Sequence, residues 1–352
     1  MSINLAEKYE TKLDERYRKS SLTDKFCGNN YSWEGVNAIK IWSLFNTELN
    51  DYTASGANRF GTPKEVDDEV NTYPLAKKRS FSATFDTTNV QDQMFVKKAN
   101  SYLKQMWDEV YVPEIDKARL TVWANGAGLG VTGAALTKST VIEAVLNAHA
   151  ALDDANVPSE GRVTFMRSDV VVATKLSAEL SGNDAWTTKT IVNGQIAEIS
   201  GSPVVSVPKS RMPAGVLFMV KYKNASADPM KLRMLRANND VPGIAGTLME
   251  GLCRYDSFVL AQKADGIYVY ADTTTGLAAP TFSISSNTVT ITAPSGATVK
   301  YTMDGTNPKT SATVQTGKSI TITKDTKIRA YCEQAGKLSS AIASYDAVYS
   351  AG

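Results

Sequence analysis

The sequence predicts an α+β body followed by a small all-β domain. Three observations carry this: one long amphipathic helical repeat in the first half, short strand-like runs in the second, and a change near residue 273 to β pattern alone.

The helical repeat comes from Phe95, Ala99, Leu103, Met106 and Val110, spaced by three or four, with Lys97, Lys98, Lys104 and Asp108 between them. That spacing predicts a helix from about Asn89 to Tyr111, roughly 35 Å long at 1.5 Å per residue. Pro113 has no backbone N–H and is expected to kink or end it, after which the pattern resumes through Trp123. A second helix is expected from Thr137 to Ala155. Thr137 would be its N-cap, and Ile142, Val145, His149 and Leu152 its apolar face. From Arg162 to Leu260 the runs RVTFM, SPVVSVP, GVLFMVKY and CRYDSFVL alternate with turns, and GIYVYA follows Asp265-Gly266. These supply the strands of the body.

Ahead of the long helix, Asn46 to Val70 is rich in turn formers and charge and poor in large apolar residues. Strand-like segments, Val36 to Ser43 and Lys77 to Phe85, flank it, which predicts a long projecting β-hairpin. A lone two-stranded hairpin is marginal in water, so this one needs a neighbouring subunit.

Beyond the linker Asp272–Gly276, Val289 with Ile291, Val299 with Tyr301 and Met303, Ile320 with Ile322, and Ile328, Ala330 and Cys332 all alternate with polar residues. Asp304-Gly305 and Lys324-Asp325 mark turns, and the whole predicts a β-sandwich. Its own core and the short polar linker imply an independently folding domain that touches the body little.

Composition removes several function classes. With 43% hydrophobic and 21% charged residues the chain is neither disordered nor membrane-embedded. The first residues are polar, without the apolar stretch of a signal peptide, so folding in the cytoplasm is expected. A net charge of +2, with Lys and Arg spread among Asp and Glu, lacks the basic stripe of a dedicated nucleic-acid binder. Cys27, Cys253 and Cys332 give neither a disulfide framework nor zinc-ligand spacing.

Catalytic patterns fail on context. Gly128-Leu129-Gly130-Val131-Thr132-Gly133 matches the letters of a dinucleotide fingerprint, but a helix precedes it where a strand is required, so a closely packed turn is expected. Gly317-Lys318-Ser319 leads into a strand, not a phosphate-facing helix. His149, the single histidine, sits on an apolar helix face and reads as a core or interface residue. Asp67-Asp68 and Asp153-Asp154 read as solvated charge. No catalytic, cofactor-binding or metal-ligating set is expected, and the chain is not expected to be an enzyme.

Several stretches of residues 1 to 272 resemble one family of tailed-bacteriophage major capsid proteins, whose fold encapsulins share. They are Tyr31-Ser32-Trp33-Glu34-Gly35-Val36, Asn50-Asp51-Tyr52-Thr53 and Asn58-Arg59-Phe60-Gly61-Thr62-Pro63. Glu109 to Asp116, Pro208 to Pro213, Tyr255 to Leu260 and Lys263 to Val269 follow in the same order. The resemblance implies an N-arm at 1–35, an E-loop hairpin at 36–87, and a peripheral domain with a spine helix at 88–134. It further implies an axial domain at 135–240, a return to the peripheral domain at 241–272, and a linker at 273–279 before an immunoglobulin-like domain at 280–352. Asn58, Arg59, Phe60, Gly61 and Pro113 become candidate assembly residues. The implied function is a shell subunit that forms hexamers and pentamers around double-stranded DNA, in a virion capsid assembled in the host bacterial cytoplasm. The implied partners are a portal and a separate scaffolding protein, with DNA contacted non-specifically and no membrane.

Tyr301 to Pro308 and Thr323 to Ala330 are similar to the small β-sandwich that ends chitobiases and many bacterial surface proteins. That similarity implies weak cell-surface or glycan contact, or passive decoration. The alternatives are a secreted glycan-binding protein or glycosidase fragment, and an encapsulin-like compartment subunit.

Overall fold

The computed structural model describes residues 21–28, 38–44, 49–63, 65–66, 68–86, 99–177, 195–239, 241–243 and 245–350. Most of the implied N-arm, the Tyr31–Val36 stretch and part of the implied axial domain lie outside the described residues.

The projecting hairpin is built from β1 (Ala38–Leu44) and β2 (Asp68–Pro74), antiparallel from Ala38 opposite Pro74 to Leu44 opposite Asp68. The return strand is therefore not Lys77 to Phe85. Pro74 cannot donate to a ladder, and the chain turns a corner there. The next strand, β3 (Lys78–Asp86), joins another sheet. Its Phe81 and Phe85 pack on Tyr102 of the long helix at 6.3 and 5.4 Å between ring centroids, and Phe81 also meets Tyr111 at 6.0 Å.

The long helix is described from Ala99, so its expected first turns lie outside the described residues. It runs as α-helix over Ala99–Met106, widens to a π turn over Trp107–Tyr111, and returns to α-helix over Val112–Gly126. Pro113 neither ends it nor interrupts it at its own position. In a regular helix the proline ring would strike the carbonyl of Glu109. The wide turn, closed by Val112 N–H donating to Trp107 O, lets Pro113 enter the first turn of the next α segment, where no N–H is needed.

The chain then forms β4 (Leu129–Gly133), a helix at Val141–Asp154, β5 (Arg162–Arg167) and a helix at Ser168–Lys175. After these come β6 (Gln195–Ile199), β7 (Ser202–Val207), β8 (Val216–Tyr222) and the short β9 (Ser226–Ala227). β10 (Met230–Asn238), β11 (Gly246–Tyr255), the short β12 (Phe258–Val259) and β13 (Ile267–Asp272) complete the body. The helix after β4 begins four residues later than expected. Thr137 O accepts from Thr140 and Val141 N–H, so these threonines hold a turn ahead of the helix, and Thr137 is not its cap.

Two sheets organise the body: β4-β13-β8-β5-β7-β6, and β10-β11-β3. β8 reads VLFMVKY and is buried on both faces, which explains an apolar run without alternation. On one face Phe165, Met219 and Ile267 pack with Leu120 and Trp123 of the long helix. On the other, Met166, Phe218 and Val220 pack with Val141, Val145 and Leu152. The smaller sheet lies on the long helix through Tyr111, Ile115, Cys253 and Tyr255.

The C-terminal domain is a sandwich of two sheets. β14 (Thr281–Ser285), β15 (Thr288–Thr292), β16 (Thr298–Thr302), β17 (Gln315–Thr316), β18 (Ser319–Thr321), β19 (Thr326–Glu333) and β20 (Ala343–Ala347) form β14-β15-β18 and β17-β16-β19-β20. Val289, Ile291, Tyr301, Ile322 and Ile328 fill its core as expected, joined by Leu277. The expectation of little contact with the body does not hold. Leu338 is buried in the body core beside the long helix. Leu338 N–H donates to Thr275 O, and Ile342 N–H donates to Gly128 O at 2.8 Å. A linker of a few residues cannot reach past the end of the long helix without laying the sandwich against it.

Candidate assembly surfaces

The hairpin presents two unlike faces. Along β1, Ile39 and Ile41 turn inward and pack with Tyr73, Leu75, Leu260 and Phe258, which seats the root on the body. Trp42 (67% exposed) and Leu44 point the other way, as does Val70 on β2. The tip adds Leu49 (100% exposed), Tyr52, Phe60 (83% exposed) and Val66. A run of exposed large apolar side chains on a two-stranded ribbon with both edges open has the character of an interaction surface.

The tip is ordered by its own turn chemistry. Asn58 takes a positive φ of 56° and Gly61 one of 87°, and Gly61 N–H donates to Asn58 O at 2.8 Å. Arg59 Nε donates to Gly56 O, and Thr53 N–H donates to Arg59 O. The Tyr52 and Phe60 rings lie 5.2 Å apart, and the Asn50 side chain covers Gly61 so closely that a Cβ there would come within 2.5 Å of it. Asn58, Arg59, Phe60 and Gly61 are thus brought together with the Asn50–Thr53 stretch. Pro113 lies apart from them, on the long helix.

A second constellation, which the sequence reading missed, ties the N-terminal segment down. Asp116 is fully buried and accepts from Ser21 Oγ (2.8 Å), Leu22 N–H (3.0 Å), Thr23 Oγ1 (2.7 Å) and Arg211 Nη1 (2.9 Å). Arg119, one turn on, donates to Thr23 Oγ1 and pairs with Asp24. The fully buried Lys221 donates to Phe26 O (2.9 Å) and Lys223 O (3.1 Å) and sits 4.3 Å from the Trp123 ring centroid. Burial pushes its pKa down to about 8. Asp228 accepts from Trp123 Nε1, Ser226 Oγ and Ser257 Oγ. A Cβ on Gly28 would lie 2.0 Å from Ser226 O, so only glycine lets the segment leave this cleft. The resembling stretches around Asp116, Arg211 and Ser257, far apart in sequence, meet in this network.

The tempting enzyme-like fragments have other uses. Gly128 and Gly133 flank and end β4, whose backbone runs against Asp265 and Tyr270. A Cβ at either would come within 2.2 Å of those side chains. His149 is buried on the inner helix face, and burial with nearby Arg162 lowers its pKa. Among the described residues no His, Cys, Asp or Glu cluster has metal-binding geometry, and no helix is long and apolar enough to cross a membrane. All three cysteines are buried, and none forms a disulfide.

Comparison with curated protein sequences gives no match. The family model described as "Chitobiase/beta-hexosaminidase C-terminal domain" matches residues 277–344. Among solved structures, one from Mycobacterium phage Che8 is similar over 77% of this chain and 98% of its own, with TM-score 0.63 and 18% identity. The capsid structure of cyanophage P-SCSP1u is similar over 76% and 93%, with TM-score 0.63 and 12% identity. The mature capsid of bacteriophage PhiM1 is similar over 77% and 92%, with TM-score 0.59 and 11% identity.

The body has the phage capsid fold. To this capsid fold the chain appends a chitobiase-type sandwich, whose matched segment begins at Leu277, a member of the sandwich core. The sandwich seats itself beside the hairpin root. A cavity of about 660 Å³ lies between β2, the end of the long helix and the loop carrying Lys309 and Thr310. Glu69 of β2 faces that loop. Burial raises its pKa, Asp304 raises it further, and Asn71 and Ser311 offset part of the rise.

Proposed function

We propose that this chain is the major subunit of a tailed-phage head, a structural protein without a catalytic role that assembles as hexamers and pentamers into an icosahedral shell around double-stranded DNA. The observation that carries this reading is the hairpin: an arm with a docked root and an apolar outer face, on a body with the phage capsid fold. Burying Trp42, Leu44 and Phe60 on a neighbour would contribute about 1.5–3 kcal/mol each, so few such contacts per subunit suffice for a stable shell.

In this reading the hairpin is the E-loop within 36–87, the helix through Gly126 is the spine of a peripheral domain at 88–134 and 241–272, and 135–240 forms the axial domain. Residues 1–35 are the N-arm, whose root at Ser21–Gly28 is clamped to the spine. Asn58, Arg59, Phe60 and Gly61 shape the tip that reaches the neighbour, and Pro113 with its wide turn sets the course of the spine. A portal and a separate scaffolding protein are the further assembly partners, and DNA is contacted without sequence reading, consistent with a net charge of +2. The particle forms in the host bacterial cytoplasm. The sandwich, whose core begins at Leu277 inside the implied 273–279 linker, makes weak cell-surface or glycan contacts.

Deleting residues 49–66 tests the reading. The expected product is a soluble subunit with unchanged melting temperature that no longer closes into shells. Shells of normal yield and size from that deletion would count against it.

A further inference from the structure

The long helix ends at Gly126 without the usual devices. Its last turn holds no basic residue, and Ala127 leaves it in an extended conformation. Its final carbonyls are instead satisfied from the sandwich. Lys309 Nζ donates to Asn125 O and Ala127 O, both at 2.8 Å. Burial lowers the Lys309 pKa to about 7, so below that pH its ammonium meets the negative end of the helix dipole as well as two orphan carbonyls. Ile342 N–H takes Gly128 O, so the sandwich engages three of the four residues that carry the helix into β4.

The same domain grips the other side of that junction. Asn307, almost fully buried, donates through Nδ2 to Ala261 O at 2.9 Å. Arg329 donates from Nη2 alone to both carboxylate oxygens of Asp265, each at 3.1 Å. Ala261–Gly266 is the turn that enters β13, and it is bonded to the helix end by Gly128 N–H donating to Ala264 O. β4 and β13 are neighbours in the six-stranded sheet.

We propose that the sandwich is a built-in brace of the body, in which Lys309 caps the long helix from outside while Asn307 and Arg329 hold the β13 entry turn, so that helix and six-stranded sheet are locked at one angle. This goes beyond surface display. It predicts that the helix end is ordered only while the sandwich is docked. Its consequence for the particle rests on the head reading: shells draw part of their resistance to heat from a domain outside the capsid fold.

The test uses the full chain and the variant Lys309→Met, which keeps the apolar stem and removes the donors. Hydrogen exchange is measured on the soluble subunit. Below pH 7, where Lys309 carries its charge, amides of residues 122–128 and 261–267 should exchange about 10-fold to 100-fold faster in the variant, the loss expected for a charged hydrogen-bond donor. The strands β15, β16 and β19 inside the sandwich should keep their protection, and assembled variant heads should melt at a lower temperature. Asn307→Ala, which leaves Lys309 in place, should loosen 261–267 more than 122–128. Unchanged protection of both body segments in both variants would overturn the brace. A chain that forms no shells at all would defeat the head reading, while the exchange result would still decide the brace.

Discussion

Asp116→Ala removes the acceptor on which four donors around the N-terminal segment converge. Two hydroxyls, the Leu22 amide and the Arg211 guanidinium lose this acceptor at once. The carboxylate is fully buried, so its removal leaves buried donors, the Leu22 amide among them, without this acceptor. That is worth about 1–3 kcal/mol for each donor left unsatisfied. Urea denaturation of the purified subunit measures the loss, and limited trypsin digestion locates it. Lys25 is exposed but held in a short 3₁₀ turn by Phe26 N–H donating to Thr23 O, so cleavage there should be slow in the parent and fast in the variant. Arg211→Met is the companion: Asp116 keeps its three donors from Ser21, Leu22 and Thr23, and the segment should stay protected. A stability within about 1 kcal/mol of the parent, with unchanged cleavage at Lys25, would refute the assignment of Asp116 as the clamp.

Two further outcomes are expected. Glu69 has a folded pKa above its unfolded value, so its contribution is present below the unfolded pKa and lost as pH rises through the folded one. Protection factors of residues 71–73 should therefore rise as pH falls from about 7 to about 4, and Glu69→Gln should abolish that dependence; equal pH dependence in both proteins would contradict it. Pro113→Ala restores an N–H that can donate to Glu109 O, which lets the wide turn over Trp107–Tyr111 revert to regular helix. Subunit solubility should be unchanged while particle diameter shifts or broadens in electron micrographs; particles of unchanged size and yield would make the wide turn incidental.

The elements legible in the sequence are those where burial is one-sided or complete. β5, β7, β8 and β13 stand where apolar runs placed them, and the sandwich core is the alternating set. The hairpin tip is legible because Asn58 and Gly61 are residues that tolerate positive φ. β2 is not legible: DEVNTYP contains poor strand formers and a proline, and it pairs because Tyr73 is buried against Leu75 and Leu260. β10 is absent from the strands expected above although Met230, Leu232 and Met234 alternate with Lys231 and Arg233, and its pairing with β11 is a tertiary fact.

The clamp was hidden for a different reason. Asp116 and Arg119 share a face with Leu120 and Trp123, so charge sits on the core side of an amphipathic helix. Periodicity assigns such residues to solvent. Only the segment Ser21–Gly28, which covers them, makes their burial tolerable. The docking of the sandwich escaped in the same way. Asn307 and Lys309 lie in a loop of turn-forming residues, and their partners are backbone carbonyls, which carry no sequence signal.

The most direct test of the central claim is electron cryomicroscopy of particles purified from cells expressing this chain with its assembly partners. Closed icosahedral shells are expected, with the Asn50–Gly61 tip of each subunit lying over a neighbour and the sandwich seated on its own long helix at the outer surface. Soluble monomers under assembly conditions, or shells in which that tip folds back on its own subunit, would contradict the claim.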